Sequence, residues 1–208
     1  MDRSLYRWIN RLAHRTSWAH SLFKANAGYG IALFAVLLLV SYLDGRNRDD
    51  LSAVAASVWA AAAALAALGI GQLIGGAVDR SRPYETMTNV HLLVDKTTDF
   101  SFPSDHATVA GAVAVGLLFA NRRWGIVAGV LALLMAFTRV YVGAHYPTDV
   151  LAGLALGGIV AAAGWFIVVP VFRWLAEWIT GTALRPLVLS GRAPGSGQPG
   201  NGQPSNAG

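Results

Sequence analysis

Apolar residues in this chain run in long unbroken blocks separated by short polar clusters, without the strict alternation of half-buried strands. A block of about 20 apolar residues is long enough to cross a bilayer as a helix. The pattern predicts five such spans: Ala25 to Leu43, Leu51 to Val78, Ala107 to Ala120, Gly125 to Val142 and Val150 to Phe172. The third is the shortest and can be lengthened at its N-terminal end. No signal-peptide pattern opens the chain, because the first apolar block begins too far in and is too long. Backbone in lipid satisfies its hydrogen bonds only in helices and closed barrels, so the expected fold class is an all-α, polytopic membrane helix bundle.

Ahead of the first span, Leu5, Trp8, Ile9 and Leu12 recur at helical spacing, while Arg3, Arg7, Arg11 and Arg15 stack four apart on another face. Like charges in that register weaken an isolated helix. They suit a helix lying on anionic lipid headgroups with its apolar face buried. Residues 1–24 are therefore read as an amphipathic interfacial helix and 25–180 as the membrane-embedded domain. Past Thr182 the apolar pattern decays, and Ala193 to Gly208 is rich in Gly, Pro, Ser, Asn and Gln. The segment 181–208 is read as a disordered tail. Gly71 with Gly75, and Gly153 with Gly157, are spaced for close helix packing.

Composition agrees with a membrane protein. Charged residues are 13% of the 208, against about 25% in soluble domains, and mean hydropathy is +0.47. There is no Cys, which excludes disulfides, zinc–thiolate sites and a cysteine nucleophile. The net charge of +5 in so apolar a chain points to anionic lipid rather than nucleic acid.

Ionisable residues within or beside spans are costly and mark function. Three clusters qualify: Asp79–Arg80–Ser81–Arg82–Pro83, Pro103–Ser104–Asp105–His106, and Arg139 with His145 and Asp149. Counting crossings brings all three to one membrane face. Ser104 suits the N-cap of the third span, and the helix terminus behind it favours an anion such as phosphate. Asp149, four residues past His145, is positioned to fix the imidazole tautomer and free the other ring nitrogen as nucleophile or base. Arg139 brings a guanidinium fork matched to phosphate oxygens.

Arg82–Pro83, Pro103–Ser104–Asp105–His106 and Arg139 through His145 to Asp149 resemble the three-part signature of the type 2 phosphatidic acid phosphatase superfamily. The strings Phe100–Ser101–Phe102–Pro103–Ser104–Asp105–His106–Ala107–Thr108 and Tyr141–Val142–Gly143–Ala144–His145–Tyr146–Pro147 resemble more narrowly its undecaprenyl-diphosphatase branch of the bacitracin-resistance type. The resemblance covers about Leu5 to Phe172. It implies a hydrolase that needs no metal or cofactor and works through a phosphohistidine. His145 is then the nucleophile, oriented by Asp149. His106 protonates the leaving oxygen and helps activate water. Arg82, Arg139 and Ser104, with the backbone N–H groups of Asp105 and His106, hold the phosphoryl oxygens.

One position departs from the pattern: the superfamily's first motif usually opens with a Lys seven residues before the Arg of Arg82–Pro83, and this chain has Gly75 there. Arg80 is the candidate substitute as a phosphate ligand. Asp105 stands where Gly is commoner, either tuning His106 or meeting a substrate headgroup. The expected substrate is undecaprenyl or another polyprenyl diphosphate. The alternatives are phosphatidic acid, phosphatidylglycerol phosphate or a prenyl monophosphate, or capture of lipid phosphates without turnover. The Asn121–Arg122–Arg123 loop reads as cytoplasmic, which puts the site on the outer face.

Overall fold

The computed structural model describes residues 1–190, so the reading of Ala193 to Gly208 as disordered lies outside the described residues. Among those residues the regular elements are all helices: α1 (Asp2–Arg15), α2 (His20–Asn47), α3 (Leu51–Val78), α4 (Pro83–Thr86), α5 (Asp105–Ala120), α6 (Arg122–Tyr141) and α7 (Pro147–Thr180), with short 3-10 turns at Ser17–Ala19 and Arg185–Leu187. Helices α2, α3, α6 and α7 are long and apolar enough to cross a membrane. The predicted second span coincides with α3, the first and fifth are longer at both ends, and the fourth starts three residues earlier and ends one earlier. Leu65, Leu73, Val130, Leu133, Leu151, Ile159, Phe166 and Ile167 all face outward. A soluble protein rarely exposes so much contiguous apolar surface, so this belt is the lipid-facing one.

The third predicted span is α5, whose 16 residues rise about 24 Å, short of a hydrocarbon core of about 30 Å. Its position explains its length. α5 is the hub of the bundle, touching α2, α3, α6 and α7, and Ala107, Ala110, Ala112, Val113 and Leu117 are wholly buried. It meets protein instead of lipid along most of its length. Its N-terminus stops inside the bundle mouth, where the backbone turns with Pro103 and Ser104.

Close approach of α5 and α7 fixes that terminus. A Cβ on Gly157 would lie 2.0 Å from the Thr108 carbonyl oxygen, and one on Gly153 would lie 2.6 Å from that of Ser104. Only glycine admits this contact. The Ser104 amide donates to the Asp149 carbonyl at 3.1 Å, tying the mouth of α5 to the first turn of α7. At the opposite end, Asp50 caps α3, Asn121 caps α6, and the Asn121 amide reaches Asp44 of α2.

Helix α1 lies against the mouth with Tyr6, Asn10 and Ala13 buried. Asn10 is fully satisfied: its amide donates to the carbonyls of His91 and Tyr141, and its oxygen accepts from the His91 amide. Leu5 and Trp8 remain exposed beside this docked face, and Arg3, Arg7, Arg11 and Arg15 are exposed on the third side. The sequence put Ile9 and Leu12 in the lipid stripe. Both instead pack on protein, Ile9 against the clusters that hold Tyr6 and Tyr141 and Leu12 beside Ala13 and Tyr141. Of the segment read as a tail, residues 181–190 carry the turn Arg185–Leu187 and bury Val188 against Val54 and Ala176.

Candidate active site

His145 is built by the turn between α6 and α7. Gly143 in that turn has φ +87°, and a Cβ there would meet the His91 carbonyl at 2.8 Å, so the position requires glycine. The amides of Ala144 and His145 fold back onto the Arg139 carbonyl, and Pro147 then opens α7. The imidazole is 2% exposed. Its Nδ1 lies 2.8 Å from the Ser101 carbonyl, and its Nε2 lies 3.1 Å from Arg82 Nη1. A carbonyl only accepts and a guanidinium only donates, so Nδ1 carries the proton and Nε2 presents a lone pair. This is the tautomer a nitrogen nucleophile needs. Burial above all, reinforced by Arg139 and Arg82 and opposed by Asp149, pushes the His145 pKa down to about 4.

The expected direct bond between Asp149 and His145 is absent. Asp149 Oδ2 lies 3.8 Å from Nδ1. Its partners are Ser101 Oγ at 2.5 Å, the Tyr146 amide at 2.9 Å and Arg80 Nη1 at 2.5 Å. Asp149 thus accepts from the Ser101 hydroxyl while the carbonyl of the same residue accepts from the His145 ring.

Arg80 also departs from its expected place. Its guanidinium does not line the cavities that hold His145, Arg82 and Arg139. It lies behind the histidine, bonded to Asp149, to Thr148 Oγ1 at 2.7 Å and to Asp2 at 2.6 Å, and stacked on Tyr146.

The remaining candidates converge. Arg82, 4% exposed, is pinned by the Asp99 carboxylate at 3.0 Å, the Asp99 carbonyl and the Ala144 carbonyl. Burial opposes the Asp99 charge, but the Thr97 hydroxyl and Arg82 outweigh it and hold that carboxyl below its usual range. Arg139 is 8% exposed, and its Nε has no partner. Ser104 occupies the N-cap of α5, yet its hydroxyl caps nothing and is buried without a partner. His106 and Asp105 line the same space, with Asp105 held by Gln72 of α3 at 2.9 and 3.0 Å.

Two cavities meet on Arg82, His106 and Arg139. One, of about 320 Å³, also holds His145 and has apolar walls from Ile31, Leu68 and Val109. The other, of about 510 Å³, is lined by Lys24, Tyr84 and Thr97. Gly75 lies beneath the 100–102 loop, where a Cβ would come within 3.1 Å of the Phe102 carbonyl and 3.2 Å of the Phe100 ring. A side chain there would crowd that loop, and Lys24 is the additional cation in the joined cavity. Among the described residues, no group of three or more His, Asp or Glu side chains is disposed to hold a metal ion.

The sequence did not single out Asp99, Ser101, Gln72 or Lys24. Asp99 and Ser101 flank Phe100 just ahead of Pro103, so their nearness to the motif was the available signal. Lys24 was legible only as a charge on the same membrane side as the site, and Gln72 carried no signal.

Compared with known proteins, residues 56–174 match the sequence model of the PAP2 superfamily. Undecaprenyl-diphosphatase BcrC of Bacillus subtilis (strain 168) is 34% identical over 160 residues, which are 77% of this chain and 80% of that protein. The crystal structure of Aquifex aeolicus LpxE superimposes with a TM-score of 0.55 at 23% identity, covering 78% of this chain and 93% of that one. A PAP2-type phosphatidylglycerolphosphate phosphatase from Bacillus subtilis superimposes with 0.56 at 21% identity, covering 85% and 87%. These two structures share the fold.

Proposed function

The chain belongs to the PAP2 superfamily, and from that premise we propose that it is a multi-pass membrane hydrolase that removes the terminal phosphate of a polyprenyl diphosphate. The observation that carries this reading is a pair of buried donors without internal partners, Ser104 Oγ and Arg139 Nε, around the His145–Arg82 pair. A buried donor left unbonded costs about 1–3 kcal/mol. A phosphoryl group is the ligand that satisfies both, and buried arginines stabilise the charge that phosphoryl transfer spreads over its oxygens.

In the proposed reaction His145 Nε2 attacks the terminal phosphorus. The bond to the bridging oxygen breaks, and His106 gives its proton to that oxygen as the lipid monophosphate departs. His106 then takes a proton from the water that attacks the phosphohistidine, which releases phosphate and restores Nε2. The free amides at the start of α5 complete the cradle. The substrate class rests on the BcrC relative and on the second cavity with Lys24, which offers a cation and space beside the cradle for the inner phosphate. The basic turn Arg122–Arg123 at the other end of the bundle supports an extracytoplasmic site. The exposed arginines of α1 support its seating on anionic headgroups.

The test is phosphate release by the purified chain in detergent with chelator present, comparing undecaprenyl diphosphate, undecaprenyl phosphate and phosphatidic acid. The diphosphate should give the highest kcat/KM, and His145→Ala should give no release. Turnover of phosphatidic acid alone overturns the substrate assignment, and activity surviving in His145→Ala overturns the nucleophile. Binding of every lipid phosphate with release from none favours a binding protein instead.

A further inference from the structure

Behind the nucleophile runs a continuous polar chain that none of the phosphate-holding groups needs. Asp2, in the first turn of the interfacial helix, accepts from Arg80 Nη2 at 2.6 Å, from Thr148 Oγ1 at 2.7 Å and from the Thr148 amide at 3.1 Å. Arg80 bridges Asp2 and Asp149, Asp149 accepts from the Ser101 hydroxyl, and the backbone carbonyl of Ser101 accepts from the Nδ1 of His145. The guanidinium is spread over two carboxylates, one hydroxyl and the Tyr146 ring, and the Asp149 side chain is 0% exposed. A carboxylate so desolvated holds its charge only with a partner. Among the described residues, Arg80 is its only cation within ion-pair distance besides the His145 imidazole.

We propose that Arg80 is a positioning residue for His145, acting through Asp149, and that Asp2 of α1 completes the support, which makes the interfacial helix part of the catalytic framework. The proposal rests on the phosphatase reading above. Without Arg80, the buried Asp149 charge has only His145 to neutralise it. The imidazole then gains a proton more readily, and a protonated ring has no lone pair for phosphorus. Arg82 and Arg139, which also face His145, are cations that resist this protonation and remain in place, and His106 of α5 faces it across the same cavity. The two-carboxylate bridge needs the planar fork, so lysine restores charge without the geometry.

The experiment measures kcat and KM for undecaprenyl diphosphate across pH, with thermal unfolding in the same detergent, for wild type, Arg80→Ala, Arg80→Lys, Asp2→Asn and His145→Ala. Arg80→Ala should lower kcat by roughly 10- to 100-fold, the scale of losing an orienting partner. Its KM should stay within about twofold, because Arg80 does not line the cavity, and its acid limb of kcat/KM should move to higher pH. Arg80→Lys should recover part of kcat. Asp2→Asn, isosteric and at the outer end, should cause a smaller loss in the same direction and keeps the test alive if Arg80→Ala fails to fold.

A raised KM with unchanged kcat and acid limb makes Arg80 a phosphate ligand and overturns the proposal. So does a fall in kcat that follows lost thermal stability with no movement of the limb. A wild type without turnover, or an active His145→Ala, overturns the phosphatase reading and this proposal with it. Those two controls separate that failure from a failure of Arg80 alone.

Discussion

Ser104 and His145 show how single side chains in this site answer to ligand chemistry rather than to stability. The Ser104 hydroxyl is buried at a helix N-cap but bonds nothing, so its removal deletes a polar group the unliganded protein does not use. Ser104→Ala should leave thermal stability equal or higher and reduce kcat/KM by roughly tenfold or more, the scale of losing one transition-state donor. A stability loss with full activity would make the hydroxyl structural. His145 has a folded pKa depressed to about 4 by burial, against about 6.5 when unfolded. Between those values the unfolded chain binds the extra proton, so stability is full above about pH 6.5 and is lost as pH falls toward 4. Thermal midpoints in detergent should show this decline, and His145→Gln should flatten it. Lys24 is the residue-scale test of substrate class: Lys24→Met should raise KM for a diphosphate more than for a monophosphate, read by parallel kinetics on both lipids.

At the scale of elements, the contact of α5 with α7 sets the site. Gly157 against the Thr108 carbonyl and Gly153 against the Ser104 carbonyl hold the two helices at backbone contact, and the Ser104–Asp149 backbone bond fixes their register at the mouth. Gly157→Ala should destabilise by about 1–3 kcal/mol, the cost of overfilling a tight contact. It should also lower kcat by displacing the α5 terminus from His145. Calorimetry or fluorescence-detected unfolding beside activity checks both. The short length of α5 follows from the same packing: a helix surrounded by α2, α3, α6 and α7 has no lipid thickness to match and is free to end where a phosphate is to be held.

For the whole molecule, the charged residues divide between two ends. Arg82, Arg139, His106, His145 and Asp149 gather at one mouth, with α1 packed against the turn between α6 and α7, and Arg122 and Arg123 stand at the other. The absence of cysteine allows a clean map of this arrangement. In intact cells or right-side-out vesicles, an impermeant thiol reagent should label Lys96→Cys and should reach Arg123→Cys only after the membrane is opened. The reverse pattern places the mouth in the cytoplasm.

Much of this was legible before any coordinates. Block-wise hydrophobicity gave the spans because lipid demands long apolar helices whatever their partners. The motif residues Arg82, Ser104, His106, Arg139, His145 and Asp149 were identifiable because phosphate chemistry restricts residue type and spacing. Which way each side chain reaches was not written there. Asp149 hydrogen-bonds Ser101 and stands 3.8 Å from His145, Arg80 turns away from the cavity to Asp149 and Asp2, and Lys24 enters that cavity where Gly75 brings no side chain. Those choices depend on distances between segments up to about 150 residues apart. Local pattern fixes periodicity and chemistry, whereas only the packed bundle decides which buried charge finds which partner.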